Sequence, residues 1–231
     1  MGLWTDPQIP ELGPNVQRAH GRFAAALGRF MMGIRGWRVE GGIPDIPRMV
    51  LIVAPHTSNW DFLTGIWVKI AMRMGARFVG KHTLFRWPLG VVMRWLGGVP
   101  VDRTSAAGFV EEAARVLRES ERMTLVIAPE GTRRRTEKWK SGFYRIAMAA
   151  QVPIVLTGFD YPRKVVFFGP LIEPTGDYEK DLERIQSHFH AGMAVKPENY
   201  SGPETGPPGR TATQGVWGVE PPKNKESWEK P

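Results

Sequence analysis

Short runs of branched apolar residues alternate with longer amphipathic segments along the middle of this chain, between residues 49 and 190. Each apolar run has the length and composition of a buried strand, and most of the intervening segments have the period of a helix. Alternating strands and helices form a sheet of mostly parallel strands with helices on its faces. The sequence therefore predicts a single α/β layered domain.

The predicted elements follow from these runs. We expect strands at 49–54, 76–80, 98–101, 123–128, 153–157 and 165–168, and helices at 60–73, 88–96, 106–121, 143–150 and 177–190. A further helix is predicted over 15–35, ahead of the first strand. One side of it carries a stripe of large apolar residues, which are Phe23, Leu27, Phe30, Met31 and Ile34. The other side carries arginines, namely Arg18, Arg22 and Arg29.

A basic amphipathic helix of this kind is typical of an interfacial membrane anchor, and packing on its own domain is the alternative. We expect three parts: a membrane-associating segment over 1–38, the main domain over 39–191, and a disordered tail over 192–231 that is rich in Pro and Gly.

The composition restricts the partners. The 231 residues include 31 Lys and Arg against 23 Asp and Glu, and the resulting charge of +8 favours an anionic partner. Nine Trp favour a membrane surface, because indole rings prefer the headgroup level. The lack of Cys excludes thiolate nucleophiles and cysteine-based zinc sites. We expect neither a metal nor a resident cofactor.

The first residues lack the pattern of a signal peptide. No apolar stretch reaches about 18 residues, the length that suggests a transmembrane helix. We therefore expect a cytoplasmic protein that associates peripherally with the inner face of the cell membrane.

His56 follows the first predicted strand of the main domain, and Asp61 comes five residues later. Ligands of open α/β sheets bind beyond the carboxyl ends of strands, and a His beside a carboxylate can remove a proton from a hydroxyl. Ser58 and Asp61 also fit a capping box at the start of a helix. Both interpretations stay open, and they are compatible with each other.

A second group of polar residues follows the predicted strand 123–128. Gly131 permits a tight turn there, and the backbone N–H groups around it can face an anion. Arginines and lysines surround the turn, namely Arg133, Arg134, Arg135, Lys138, Lys140 and Arg145. This combination suits phosphate recognition. A solvated basic loop and a nucleic-acid patch are the alternatives.

Taken in order, these blocks resemble the lysophosphatidic acid acyltransferase family over residues 45 to 175. The residues that carry the resemblance are His56 and Asp61 (an H-x4-D box), Lys81, the run Gly98-Val99-Pro100-Val101-Asp102-Arg103, the run Pro129-Glu130-Gly131-Thr132-Arg133 and the run Val152-Pro153-Ile154-Val155. Two positions depart from the family pattern. Pro100 stands where a bulky apolar residue is usual, and Ala128 where Phe is usual.

The resemblance implies a glycerolipid acyltransferase-like fold and roles for the matched residues. His56 is the expected general base and Asp61 its orienting partner. Arg103 and Arg133 are expected to hold an acceptor phosphate, with Glu130, Gly131 and Thr132 around it. Lys81 or backbone N–H groups are expected to stabilise the oxyanion.

The implied activity is transfer of a fatty acyl chain in phospholipid biosynthesis. The donor is a thioester, acyl-CoA or acyl carrier protein, and the acceptor is a hydroxyl of a lysophospholipid or similar anionic lipid. The alternative is a catalytically inactive, peripheral lipid-binding protein of the same fold. We do not expect a nucleic-acid partner, because nothing in the chain resembles a nucleic-acid-binding fold.

Overall fold

The computed structural model describes residues 4–101 and 106–203 as an α/β structure. The helices are α1 (Arg22–Ile34), α2 (Asn59–Ala71), α3 (Leu89–Trp95), α4 (Ala106–Glu119), α5 (Gly142–Ala150) and α6 (Tyr178–Gln186). The strands are β1 (Arg38–Glu40), β2 (Arg48–Ala54), β3 (Arg77–Lys81), β4 (Gly98–Val101), β5 (Met123–Ile127), β6 (Ile154–Asp160) and β7 (Val165–Ile172). Short 3₁₀ helices lie at His82–Phe85, Ala191–Met193 and Pro197–Asn199.

The seven strands of the described ranges belong to one sheet, in the order β1-β7-β6-β2-β5-β3-β4. Each neighbouring pair is parallel except β6 and β7, which are antiparallel. The predicted fold class, a mostly parallel sheet flanked by helices, is confirmed. Because β2, β5 and β3 are adjacent and parallel, their carboxyl ends lie at one edge of the sheet.

The central strand β2 is apolar over most of its length because helices cover both faces of the sheet. Val50 and Ile52 pack into a core with α4 and α5. Met49 and Leu51, which point to the opposite face, pack into a core with α2 and Met32 of α1. A run of branched residues without polar alternation is therefore the expected sequence for this position.

The N-terminal helix differs from its predicted bounds. It begins at Arg22 rather than near residue 15, because the preceding segment is not helical. Arg18 forms an isolated antiparallel bridge with Met74, and His20 has a φ of 66°. Neither conformation can be part of a right-handed helix. Strand β1 was not predicted, since three residues are too few to show a period.

The large apolar stripe of α1 faces solvent. The helix packs on α2 through the side that carries the buried residues Ala25, Gly28 and Met32, while Phe23 is 86% exposed. A Cβ at Gly28 would lie 2.8 Å from the backbone nitrogen of Ala71, so the two helices touch backbone to backbone. Only a small residue fits at the crossing itself, and the side chains of the stripe lie on the other side of the helix.

The first part of the predicted disordered tail is ordered, so this prediction is wrong for residues 192–203. Part of one 3₁₀ helix and the whole of another lie there, and Ala194 and Tyr200 are buried. The polar composition of the tail as a whole conceals these few apolar contacts. Residues 204–231 lie outside the described residues.

No helix in the described ranges combines the length and the apolar character that crossing a bilayer requires.

We expect Gly28→Ala to destabilise the protein. The added methyl would collide with the α2 backbone, and overpacking of this kind costs about 1–3 kcal/mol of unfolding free energy. Gly42→Ala is the control, since nothing lies within 4 Å of a Cβ at that position and it lies outside the helices. Urea unfolding of both variants measures the difference. Equal stability of the two variants would show that α1 does not pack tightly on α2.

Candidate active site

Residues from three strand ends meet in one groove, which has a volume of about 880 Å³. His56 follows β2, Lys81 ends β3, and Gly131, Thr132 and Arg133 follow β5; all of these line the groove. Most of the predicted site residues are therefore brought together at one edge of the sheet.

His56 and Asp61 lie at the start of α2. The Nδ1 atom of His56 is 3.5 Å from Oδ2 of Asp61. The same Oδ2 accepts hydrogen bonds of 2.7 Å from the backbone N–H groups of Thr57 and Ser58, and Ser58 caps the helix. The capping box thus fixes the carboxylate, and the carboxylate faces the imidazole, so the geometry of the H-x4-D box is compatible with both interpretations.

The environment of His56 keeps its ring neutral. Burial, and secondly the Arg133 guanidinium, lower the pKa of His56 to about 4. A neutral imidazole has one nitrogen free to accept a proton, as a general base requires. Burial raises the pKa of Asp61, and its backbone hydrogen bonds and Arg133 oppose that shift. Arg133 is thus electrostatically linked to both groups.

Tyr161 is a neighbour of Asp61 that the sequence does not reveal. It follows β6, and its hydroxyl is buried. Strand β6 lies on one side of β2, and β5 with the basic loop that follows it (residues 128–141) lies on the other. Burial, and then the charge of Asp61, raise the pKa of the Tyr161 hydroxyl. The proximity of these two residues depends on strand order, which no local motif encodes.

Glu130 lies beneath the groove rather than on its wall. Its side chain is 0% exposed, and both carboxylate oxygens accept from the backbone N–H of His56 at 3.1 Å. Burial raises the pKa of Glu130 to about 7, and the charge of Asp61 acts in the same direction. Glu130 therefore positions His56 and does not line the groove.

Gly131 makes the tight turn after Glu130, with a φ of 67°. Its own N–H donates to the Ala128 carbonyl at 3.1 Å, and anion binding by the neighbouring N–H groups stays a prediction. Cationic side chains also line the groove. The cations that line it are Lys81, Arg133, Arg134, Lys140 and Arg145.

Arg133 is held at the start of α2, where its guanidinium donates to Oδ1 of Asn59. The predicted partner of Arg133, Arg103, lies outside the described residues, as does Asp102. No group of three or more His, Asp or Glu in the described ranges 4–101 and 106–203 could hold a metal ion.

A small apolar cavity extends from His56 between the sheet and α2. Its volume is about 130 Å³, and it is walled by Phe62 and Gly65 of α2 and by side chains of the sheet such as Val126. The cavity and the groove share His56, Phe62 and Phe78, so an apolar chain can approach the imidazole from either.

The chain belongs to the acyltransferase family, whose model matches residues 39–158. Its fold is similar to that of the 1-acyl-sn-glycerophosphate acyltransferase PlsC from Thermotoga maritima. That match has a TM-score of 0.51 and 19% identity, and it covers 71% of this chain and 75% of the other. No curated protein matches the chain. The predicted acyltransferase family is thereby confirmed.

We expect Glu130→Gln to change how stability depends on pH. The raised pKa of Glu130 means that the folded protein prefers the neutral acid, so stability falls as pH rises from the unfolded pKa toward about 7. The glutamine side chain of the variant does not titrate. The stability of the variant relative to wild type should therefore rise between about pH 5 and about pH 8.

Urea unfolding at several pH values measures this difference, with Glu173→Gln as a variant that removes an exposed carboxyl. The contribution of His56 is common to both proteins and largely cancels in the comparison. A stability difference that stays constant across this range would show that Glu130 is not held in its neutral form.

Proposed function

We propose that this protein transfers a fatty acyl chain from a thioester to the hydroxyl of a lysophospholipid or a similar anionic lipid, in phospholipid biosynthesis. The observation that carries the proposal is a neutral imidazole, braced by a buried carboxylate, in a groove that also contains Arg133 and Lys81. Acyl-CoA and acyl carrier protein are the candidate donors.

The reaction needs one base and one anion-stabilising group. The acceptor hydroxyl gives its proton to Nε2 of His56 as its oxygen attacks the thioester carbonyl. The tetrahedral intermediate collapses with cleavage of the C–S bond, and the proton passes to the departing thiolate. Asp61, beside Nδ1, favours the tautomer whose Nε2 accepts and stabilises the imidazolium that develops.

The wall of the groove carries both charged and apolar side chains. Lys81 lies at the end of β3, on the groove wall, where it can stabilise the oxyanion. Apolar groups for the acyl chain line the same groove, among them Phe78, Leu84 and Phe109. Arg133, linked to His56, is the cation for the acceptor phosphate. The predicted contribution of Arg103 stays a prediction.

We also propose that the protein binds peripherally to the cytoplasmic face of an anionic membrane. Exposed large apolar residues occur on α1, α2 and α3. These helices adjoin one another: His20, just before α1, packs on Trp95 of α3 at 5.0 Å, and Arg35, just after α1, lies 5.5 Å from the ring of Trp60. Large exposed apolar patches of soluble proteins commonly mark such interaction sites.

His56→Ala is the direct test of the chemistry. General-base catalysis contributes about 10²–10⁴-fold, so turnover should fall at least about a hundredfold while the protein remains folded. Release of free thiol from acyl-CoA or acyl carrier protein, measured with a panel of lysolipids, follows the reaction. His82→Ala, at an exposed position on the 3₁₀ helix after β3, is the matched control.

Near-normal turnover in His56→Ala would remove His56 from the mechanism. Binding of lysolipid vesicles by the wild type without release of thiol would instead favour the lipid-binding protein without catalysis.

Membrane binding is tested by placing charge on the exposed stripe of α1. Phe23→Asp combined with Phe30→Asp should weaken cosedimentation with anionic vesicles at least about tenfold, because burial of each Phe contributes about 1.5–3 kcal/mol. Met148→Asp, at an exposed position on α5, is the control for added charge on an apolar surface residue. Unchanged sedimentation of the double variant would place the membrane contact elsewhere.

A further inference from the structure

Residues 191–203 return to the active site as a strap, which we call the C-terminal strap. The Tyr161 N–H donates to the Met193 carbonyl at 3.0 Å, the Lys196 N–H donates to Oγ1 of Thr57 at 3.4 Å, and the Thr136 N–H donates to Oγ of Ser201 at 2.8 Å. Thr57 lies within the H-x4-D box, and Thr136 lies in the basic loop. The strap is beyond the region that the family model matches.

Tyr200 anchors the strap beneath the site. Its side chain is buried. Burial, and then the charge of Glu130, raise the pKa of its hydroxyl. Tyr200 belongs to the core that β2 forms with α4 and α5, so the strap is not a loose tail.

The strap completes a second, polar pocket beside the groove. Its volume is about 480 Å³, within the range of small-molecule sites. The residues that line it are Thr57, Ser58, Asn59, Arg133, Arg134, Lys196 and Asn199. Arg133 and Arg134 also line the groove, so the two spaces are neighbours. Among the described residues, no Asp or Glu lines this pocket.

The lining of this pocket has the chemistry of a phosphate site. Three cations surround it, and hydroxyl and amide groups supply further hydrogen bonds. Arg133 already donates to Asn59, which fixes its position at the pocket wall. Lys196 is exposed and comes from the strap rather than from the basic loop, on a backbone fixed by Thr57. A flexible ammonium on a fixed backbone can adapt to a headgroup.

We propose that this pocket binds the anionic headgroup of the acceptor lipid, and that Lys196 is a residue that determines acceptor specificity. The inference rests on the proposed function and adds a headgroup site to it. Residues 39–158, which the family model matches, do not form this site without the strap. The headgroup occupies the pocket beside Thr57 while the acceptor hydroxyl lies at His56. The donor keeps the groove, where Lys140 and Arg145 meet its charges.

The kinetic test uses Lys196→Gln in the full chain, with lysophosphatidate and uncharged monoacylglycerol as acceptors. The KM for lysophosphatidate should rise at least about tenfold, the effect of losing one charged hydrogen bond, with kcat unchanged. The KM for the acyl donor and the rate with monoacylglycerol should not change. Lys180→Gln removes the same charge from an exposed position on α6 and should leave every parameter unchanged.

Two kinetic results would overturn the inference. A rise in the donor KM alone would assign the pocket to the phosphates of the donor. Unchanged constants for both substrates would show that Lys196 contacts neither.

Direct binding separates this inference from the proposed function. Glycerol 3-phosphate, titrated into the wild type and into Lys196→Gln and followed by NMR, should bind the variant about tenfold more weakly. If Lys196→Gln binds more weakly but the wild type shows no thioester turnover, the proposed function is wrong and the anion site stands. If the wild type turns over thioester and both proteins bind glycerol 3-phosphate equally, the anion site is wrong and the proposed function stands.

Discussion

Two buried carboxylates hold the backbone of residues 56–58, and the site depends on them. Asp61 accepts from the N–H groups of Thr57 and Ser58, and Glu130 accepts from that of His56. Both acids are almost fully buried, so each needs these hydrogen bonds to offset its lost hydration. Three consecutive backbone donors are thus tied from both sides, and the imidazole that they carry has little freedom to leave the groove.

This arrangement also accounts for the separation of charge in the site. Cations of the groove come from β3, the basic loop and α5, whereas the two carboxylates lie underneath and do not form part of the groove wall. An anionic substrate therefore meets Arg133 and Lys81 before it meets either acid. Burial of the His56 ring, and secondly the charge of the Arg133 guanidinium, lower the pKa of His56.

The sequence predicts the sheet and the site to different degrees. Strand β2 and the loop after β5 can be predicted from the sequence. An apolar run must be buried, and the polar residues at its end must lie at the edge of the sheet. The positions of Tyr161, Tyr200 and Lys196 near the site cannot be predicted in this way, because they depend on strand order and on a strap with a polar composition. The spacing of apolar residues in α1 predicts an apolar stripe, but it does not tell which side of the helix packs on the domain.

Which side of α1 packs is decided by distance. Gly28 allows the backbones of α1 and α2 to meet, and that contact leaves no room for Phe or Leu between them. Burying the large stripe instead would push the helices apart and open the core beneath them. Small residues and Met32 therefore lie inside and the large stripe lies outside, the reverse of what burial of apolar area alone would favour.

The first turn of α2 connects the proposed membrane face with the chemistry. Successive residues of a helix point about 100° apart, so Asn59, Trp60 and Asp61 face three directions. Asn59 holds Arg133, Trp60 is exposed beside Arg35, and Asp61 faces His56. If the exposed helices lie on a bilayer as proposed, a lipid at Trp60 is within one helical turn of both the cation and the base. The acceptor would then reach His56 from the membrane surface without first dissolving in water.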